Sequence, residues 1–300
     1  MTEHTRLTVP IVRSGVLARE FCVTHAAAEI AAVYERSLYL RAGNAFVCIG
    51  EPVVGNGPST MIVDFSLSEF GLRADTSATI ADQKIAIGSI VLTLNRCALW
   101  QPPAWPAVPS SDRLAEICTA LAHRLAVEGP QHSSPIAKRI TRFEDWLSNI
   151  DETVEAIDGI VGLGPGLTPS GDDVLIGALA MLDALGERET HVALSHAINA
   201  ITPGQTSPLS HCFLRAAVAG HISGRFHTIV SSVIIGDIDR AIDTARTIGH
   251  SSGWDMLTGA VIAARVHRPR HVEQGVAAPG TGRARSVARH SPRSRSARTA

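Results

Sequence analysis

Between Trp100 and Asp112 the chain reads WQPPAWPAVPSSD, with four prolines in thirteen residues. Proline has no amide hydrogen and a fixed φ, so this stretch can continue neither a sheet ladder nor a helix. It divides the chain, and the two sides differ in hydrophobic period. Before it, AFVCIG (45–50), STMIVDFSL (59–67) and KIAIGSIVLTL (84–94) are short β-branched runs separated by turn formers such as GEPVVGNGP. One segment departs from that pattern: THAAAEIAAVYERSLYL (24–40) is rich in alanine, and the spacing of Ile30, Val33 and Leu38 predicts a helix. After it, Leu114, Ile117, Leu121 and Leu125 form one apolar face behind Ser110 or Ser111 as N-cap. Ile136, Ile140, Phe143, Leu147 and Ile150 form another behind Ser134-Pro135. Further helices are predicted over 172–185, 188–200, 208–219, 223–234, 237–248 and 253–265, with Gly186, Gly220 and Gly249 as stops. The expected fold is α+β: a β-rich domain with one helix (1–108), then a mainly α-helical domain (109–266) and a tail (267–300).

A hydrophobic content of 45% over 300 residues supports a sizeable core. No apolar run reaches the roughly 18 to 20 residues of a membrane span, and MTEHTRLTVPIVRSG lacks the apolar segment of a signal peptide, so the expected location is the cytoplasm. Five scattered cysteines without a CxxC pair fit reduced thiols rather than disulfides or a zinc site. From Arg265 onward there are nine arginines and one acid, Glu273, which leaves the body mildly acidic. The tail has almost no large apolar residues, and its composition predicts disorder. It also lacks aromatic residues on which bases could stack, so nucleic acid is not an expected partner.

The densest cluster of special residues is GIVGLGPGLTPSGDDVLIGALAML (159–182). Gly159 and Gly164 have the separation of a phosphate loop, but Pro165 stands where its lysine belongs. Neither Gly162 and Gly164 nor Gly164 and Gly166 are followed by the third glycine of a dinucleotide fingerprint, and Ser170 lies in no G-x-S-x-G elbow. Helix capping by Ser170 and Asp173, with Asp172 and Asp173 against the helix dipole, accounts for part of the pattern. The remaining glycines and prolines suit a loop whose amides approach an anion. SGDDVLIGA (170–178) recurs as SGWDMLTGA (252–260), pairing Asp173 with Asp255 and Gly177 with Gly259. Glycine inside a helix costs roughly 1 kcal/mol relative to alanine, which is tolerable where another backbone passes closely. Two helices crossing at these glycines would present both N-termini to one place. His250, in GHSSG, is a candidate acid, base or ligand donor. Arg215 is a candidate anion clamp. Asp172, Asp173 and Asp255 could hold Mg²⁺ or act as caps, and His211, His221 and His227 match no metal motif.

GLGPGLTPSGDD (162–173), TSPLSHCFLRAAVAGH (206–221) and IGHSSGWDMLTGA (248–260), with looser support from GNGPSTMIVD (55–64), resemble the AllH-type subunit of oxamate carbamoyltransferase. The resemblance implies a role in carbamoyl transfer between carbamoyl phosphate and oxamate or oxalurate in purine (allantoin) catabolism. It also implies companion subunits of the FdrA and AllG types, and it calls for no cofactor or metal. Ordinary carbamoyltransferases use an S-T-R-T loop that this chain lacks. On this reading the small anionic substrate is held by Gly162, Gly164, Gly166, Thr168, Ser170, Gly171 and Asp172 from one helix start and by Ser251, Ser252 and Gly253 from the other. His250, Asp173 and Asp255 are the candidate catalytic residues. A non-catalytic scaffold or effector-binding subunit, and a carbamoyltransferase for another acceptor, remain alternatives.

Overall fold

The computed structural model describes residues 6–130, 133–148, 157 and 159–267. Among these residues nine strands come first: β1 (Leu7–Ser14), β2 (Ala27–Tyr34), β3 (Ser37–Ala42), β4 (Ala45–Gly50), β5 (Thr60–Val63), β6 (Ser77–Ala81), β7 (Lys84–Ile87), β8 (Ile90–Thr93) and β9 (Ala98–Leu99). They form one sheet in the order β5-β4-β3-β2-β6-β7-β8-β1-β9. An added antiparallel pairing of β1 with β5, Ile11 opposite Val63, closes the sheet into a barrel. Inward-facing Ile30, Leu38, Leu40, Ile49, Ile85 and Leu92 fill it at the alternation a closed sheet requires. Closure also removes the exposed edges that an open sheet must protect.

The helix α1 (Val16–Thr24) plugs the barrel with Ala18 and Phe21. It is the one α-helix among the described residues of this region, which also holds two short 3-10 turns (Pro52–Val54 and Leu67–Phe70), and it lies before the segment that the sequence assigns to it. THAAAEIAAVYERSLYL is instead the β2–β3 hairpin, paired from Glu29 opposite Arg41 to Tyr34 opposite Ser37 with a register shift between Ile30 and Ala32. Burial there alternates with period two at Leu38 and Leu40, while Val33 is exposed. Alanine permits either conformation, and hydrogen bonding to β3 on one side and β6 on the other overrides its helix propensity. The run 84–94 divides likewise into β7 and β8 about Gly88, whose φ is 54°.

The proline-rich connector is anchored by Trp105, whose ring stacks on His227 at 4.0 Å and whose Nε1–H donates to Asp183 at 2.9 Å. Among the described residues eight helices follow: α2 (Ser111–Glu128), α3 (Ser134–Ser148), α4 (Ser170–Leu185), α5 (Arg188–Asn199), α6 (Pro208–Val218), α7 (Gly224–Ile235), α8 (Ile238–Ala245) and α9 (Ser252–Val266). The sequence starts are sharp where a side chain caps them. Ser110 accepts from the Arg113 amide, Ser207 from Ser210, Ser223 from Phe226 and Asp237 from Arg240. Ile150 and the arginine-rich tail from 268 onward lie outside the described residues. Among the described residues no helix is long and apolar enough to cross a membrane. The molecule is thus an α+β chain: a strand-rich barrel followed by a helical layer.

At the centre of that layer α4 crosses α9. A Cβ placed on Gly177 would lie 2.0 Å from the Met256 carbonyl oxygen, and one on Gly259 would lie 1.9 Å from that of Val174. Val174 and Met256 occupy equivalent places in the two copies of the repeat. The contact is therefore reciprocal, the arrangement a two-fold axis produces between identical surfaces. Both glycines are present because side-chain atoms would hold the two backbones apart.

Candidate functional site

The crossing brings the two helix starts together. Thr168, just before α4, and Ser252, the first residue of α9, have their hydroxyls 3.0 Å apart. Each start is sealed by its own loop in the same way. The Gly171 amide donates to the Leu163 carbonyl at 2.9 Å and the Gly253 amide to that of Ile248 at 3.0 Å. Both glycines lie against backbone, since a Cβ on Gly171 would be 1.8 Å from the Ile160 oxygen and one on Gly253 would be 2.1 Å from that of Ala245.

The adjacent acids of α4 have different surroundings, because a helix separates successive side chains by about 100°. Asp172 is a buried staple. Its Oδ1 accepts the Gly162 amide at 2.8 Å, and its Oδ2 accepts the Ser210 hydroxyl at 2.6 Å and the Thr206 hydroxyl. With Ser207 donating to the Leu167 carbonyl, these bonds fix the glycine-rich loop onto the start of α6. The capping predicted for Ser170 is not made: Pro169 occupies the N-cap, no side chain caps it, and Ser170 is buried.

Asp173 is fully buried, and neither of its oxygens meets a hydrogen bond of good geometry. Burial pushes its pKa well above the usual aspartate range; the neighbouring acids Asp255 and Asp172 add to the rise, while the Ser252 and Thr168 hydroxyls oppose it. Asp255, its counterpart in the repeat, is equally buried.

Asp173, Thr168 and Ser252 line a cavity of about 460 Å³ between the helical layer and the barrel. Tyr39 and Cys48 from β3 and β4, the Gly55–Thr60 loop, Phe213, His221 and Arg225 contribute to its polar and aromatic lining. Ile176, Leu209, Ile222, Phe226 and Met256 make much of the rest apolar, as is usual for a small-molecule site. The Tyr39 and Phe213 rings, 6.5 Å apart, join barrel to helices at its side. Burial pushes the Cys48 thiol up to about 12, so it is held as a neutral thiol, and raises the Tyr39 phenol as well.

Of the residues picked from the sequence, Thr168, Asp173 and Ser252 meet at this cavity. Gly162 and Gly164 lie in the loop beneath it, at φ values of 68° and 122°, and Gly166 is exposed. Ser170, Gly171, Asp172, Gly253 and Asp255 are buried around the crossing, Ser251 is half-buried and His250 is exposed; none of these lines the cavity. Arg215 hydrogen-bonds Asn199 elsewhere. Tyr39, Cys48, Asn56 and Arg225 went unsingled in the sequence as site residues, since only the closed barrel carries the first three to the helical layer. Among the described residues no group of three or more His, Cys, Asp or Glu side chains is placed to hold a metal ion.

Residues 160–264 match the family model described as oxamate carbamoyltransferase subunit AllH. The matched span starts at the glycine-rich loop and ends within α9, so it contains both copies of the repeat and every helical residue of the cavity named above. No solved structure matches the chain.

Proposed function

We propose that the chain is a subunit of a cytoplasmic carbamoyltransferase complex, acting on carbamoyl phosphate and oxamate or oxalurate in purine catabolism, and that the cavity between barrel and helical layer is its substrate site. The observation that carries this reading is the meeting of Asp173, Thr168 and Ser252 at one cavity, all three within the AllH-matched residues. In transfer to oxamate, the amide nitrogen forms a bond to the carbamoyl carbon, the bond from that carbon to the phosphate oxygen breaks, and one N–H proton is lost. In the reverse direction the departing amide nitrogen must take up a proton. A carboxyl group whose pKa lies well above the usual range can hold and return that proton near neutral pH. The Thr168 and Ser252 hydroxyls can orient the carbamoyl oxygen. Companion subunits of the FdrA and AllG types would complete the assembly.

A second reading, a non-catalytic subunit that uses the cavity for an effector, draws on Asp172 and Gly171, whose bonds are directed to protein. Reconstitution with the companion subunits separates the two. Asp173→Asn is expected to lower carbamoyl transfer about 100-fold, the scale of a lost general acid or base, with oxamate binding retained. Full transfer by the Asp173→Asn complex would overturn the catalytic reading and leave the effector site.

A further inference from the structure

We propose that Arg225 is the anion-recognition residue of this cavity, binding the carboxylate or phosphate of its occupant. Arg225 is the second residue of α7 and lines both the 460 Å³ cavity and an adjoining open cleft of about 780 Å³. It stands in the wall the two share, with Gly55, Asn56 and Thr247. Its Nη1 donates to the Thr247 carbonyl at 2.6 Å and its Nη2 to the Val53 carbonyl. Both partners are neutral, and among the described residues no carboxylate lies within ion-pair distance of it. The neighbouring arginine Arg246 is paired twice, with Asp243 and Glu128, so acids are available here and Arg225 is held apart from them.

The two carbonyls span the barrel loop and the α8–α9 connection, which fixes the guanidinium in place while leaving further N–H donors of its five for a ligand. The loop opposite is shaped around it. Gly55 has a φ of 85°, and a Cβ there would come within 3.0 Å of Arg225 Nε. A half-buried guanidinium without a counter-charge gains most from an anion that supplies both charge and a pair of acceptors. At the same cavity, the buried Asp173 carboxyl offers a second polar contact without a closed hydrogen bond of its own. An occupant with one anionic end and one amide end satisfies both.

The inference rests on the reading of this cavity as the substrate site, and its test is separate from the transfer assay. Calorimetry on the full chain compares oxamate, its neutral isostere oxamide and inorganic phosphate. Wild type is expected to prefer oxamate over oxamide at least about tenfold, the scale of a charged hydrogen bond. Arg225→Gln should reduce that preference to near unity with oxamide affinity unchanged, and Arg225→Lys should keep part of it. If phosphate binding alone is lost in Arg225→Gln, the group it binds is phosphate rather than carboxylate. Should Arg225→Gln fail to fold, Arg225→Lys must still lower the oxamate preference, because the three donors of an ammonium cannot keep both carbonyl bonds and also make a paired contact to a carboxylate. Three results overturn the proposal: wild type that binds no anion, an oxamate preference and a phosphate affinity that both survive Arg225→Gln, or an equal loss of oxamate and oxamide. None of these changes what Asp173→Asn does to transfer in the reconstituted complex, which decides the functional reading.

Discussion

The two copies of the repeat, Ser170–Ala178 and Ser252–Ala260, share serine, glycine, aspartate, leucine, glycine and alanine at the same spacing, yet they do different things. The shared residues build the frame. Gly171 and Gly253 seat each helix start on its own loop, and Gly177 and Gly259 let the two backbones meet reciprocally. The residues that differ hold what surrounds it. Where the first copy has Asp172, stapled by an amide and two hydroxyls, the second has Trp254, largely buried, with the Arg246 guanidinium 5.9 Å above its ring. Eighty-two residues separate Thr168 from its counterpart His250; the first bonds across to Ser252 while the second faces solvent. A duplicated scaffold thus presents an unsymmetrical set of groups: Thr168 and Asp173 from one copy, and Ser252 from the other.

The reciprocity of the crossing is the easiest part of this comparison to break. Gly177→Val or Gly259→Val would place side-chain atoms on a facing carbonyl, and each is expected to cost about 3 kcal/mol or more. Urea unfolding checks it, and a large cost at one glycine with none at the other would end the two-fold description. Asp172→Ala strands an amide and two hydroxyls in the interior, and should cost about 2 to 3 kcal/mol, whereas loss at Trp254 should leave the glycine-rich loop in place. Heteronuclear NMR of the Gly162 amide would report the difference.

Asp173 gives a smaller effect with a distinct pH signature. Its folded pKa is raised above the ordinary 3.8. The fold therefore binds its proton more tightly than the unfolded chain does, and this contribution to stability is fully present below about pH 3.8 and is lost as pH rises through the folded value. Asp173→Asn removes that dependence, so wild type should lose stability relative to the variant on going from pH 4 to pH 8; a parallel pair of curves would refute the shift. His250→Ala should do least: within about 0.5 kcal/mol in stability and no change in transfer. A tenfold drop in transfer would return His250 to the site.

The crossing could be read from the sequence because glycine in a helix is costly and two such glycines fell at matching places. The helix starts were legible where a serine or aspartate caps them. The β2–β3 hairpin was not, because an alanine-rich segment carries little local signal and its turn, Glu35-Arg36, lacks the glycine or asparagine that marks a tight hairpin. Asp172 and Asp173 look alike as letters; only the direction each takes from α4 separates a structural staple from a cavity residue. The cavity itself was hidden because Tyr39, Cys48 and Asn56 reach it through barrel closure, more than a hundred residues away in the chain from Asp173 and Ser252.

Fifteen of the sixteen residues of α4 are buried, and its closest cover, α9, begins 82 residues after α4 does. During synthesis and refolding that helix has no partner for its glycine-bearing face until most of the helical layer exists. Contacts of such long sequence separation form slowly, and apolar surface waiting for them is open to aggregation. The crossing thus makes the order of folding a property of the repeat: the barrel can close on its own strands, whereas the cavity it roofs is completed only when α9 arrives.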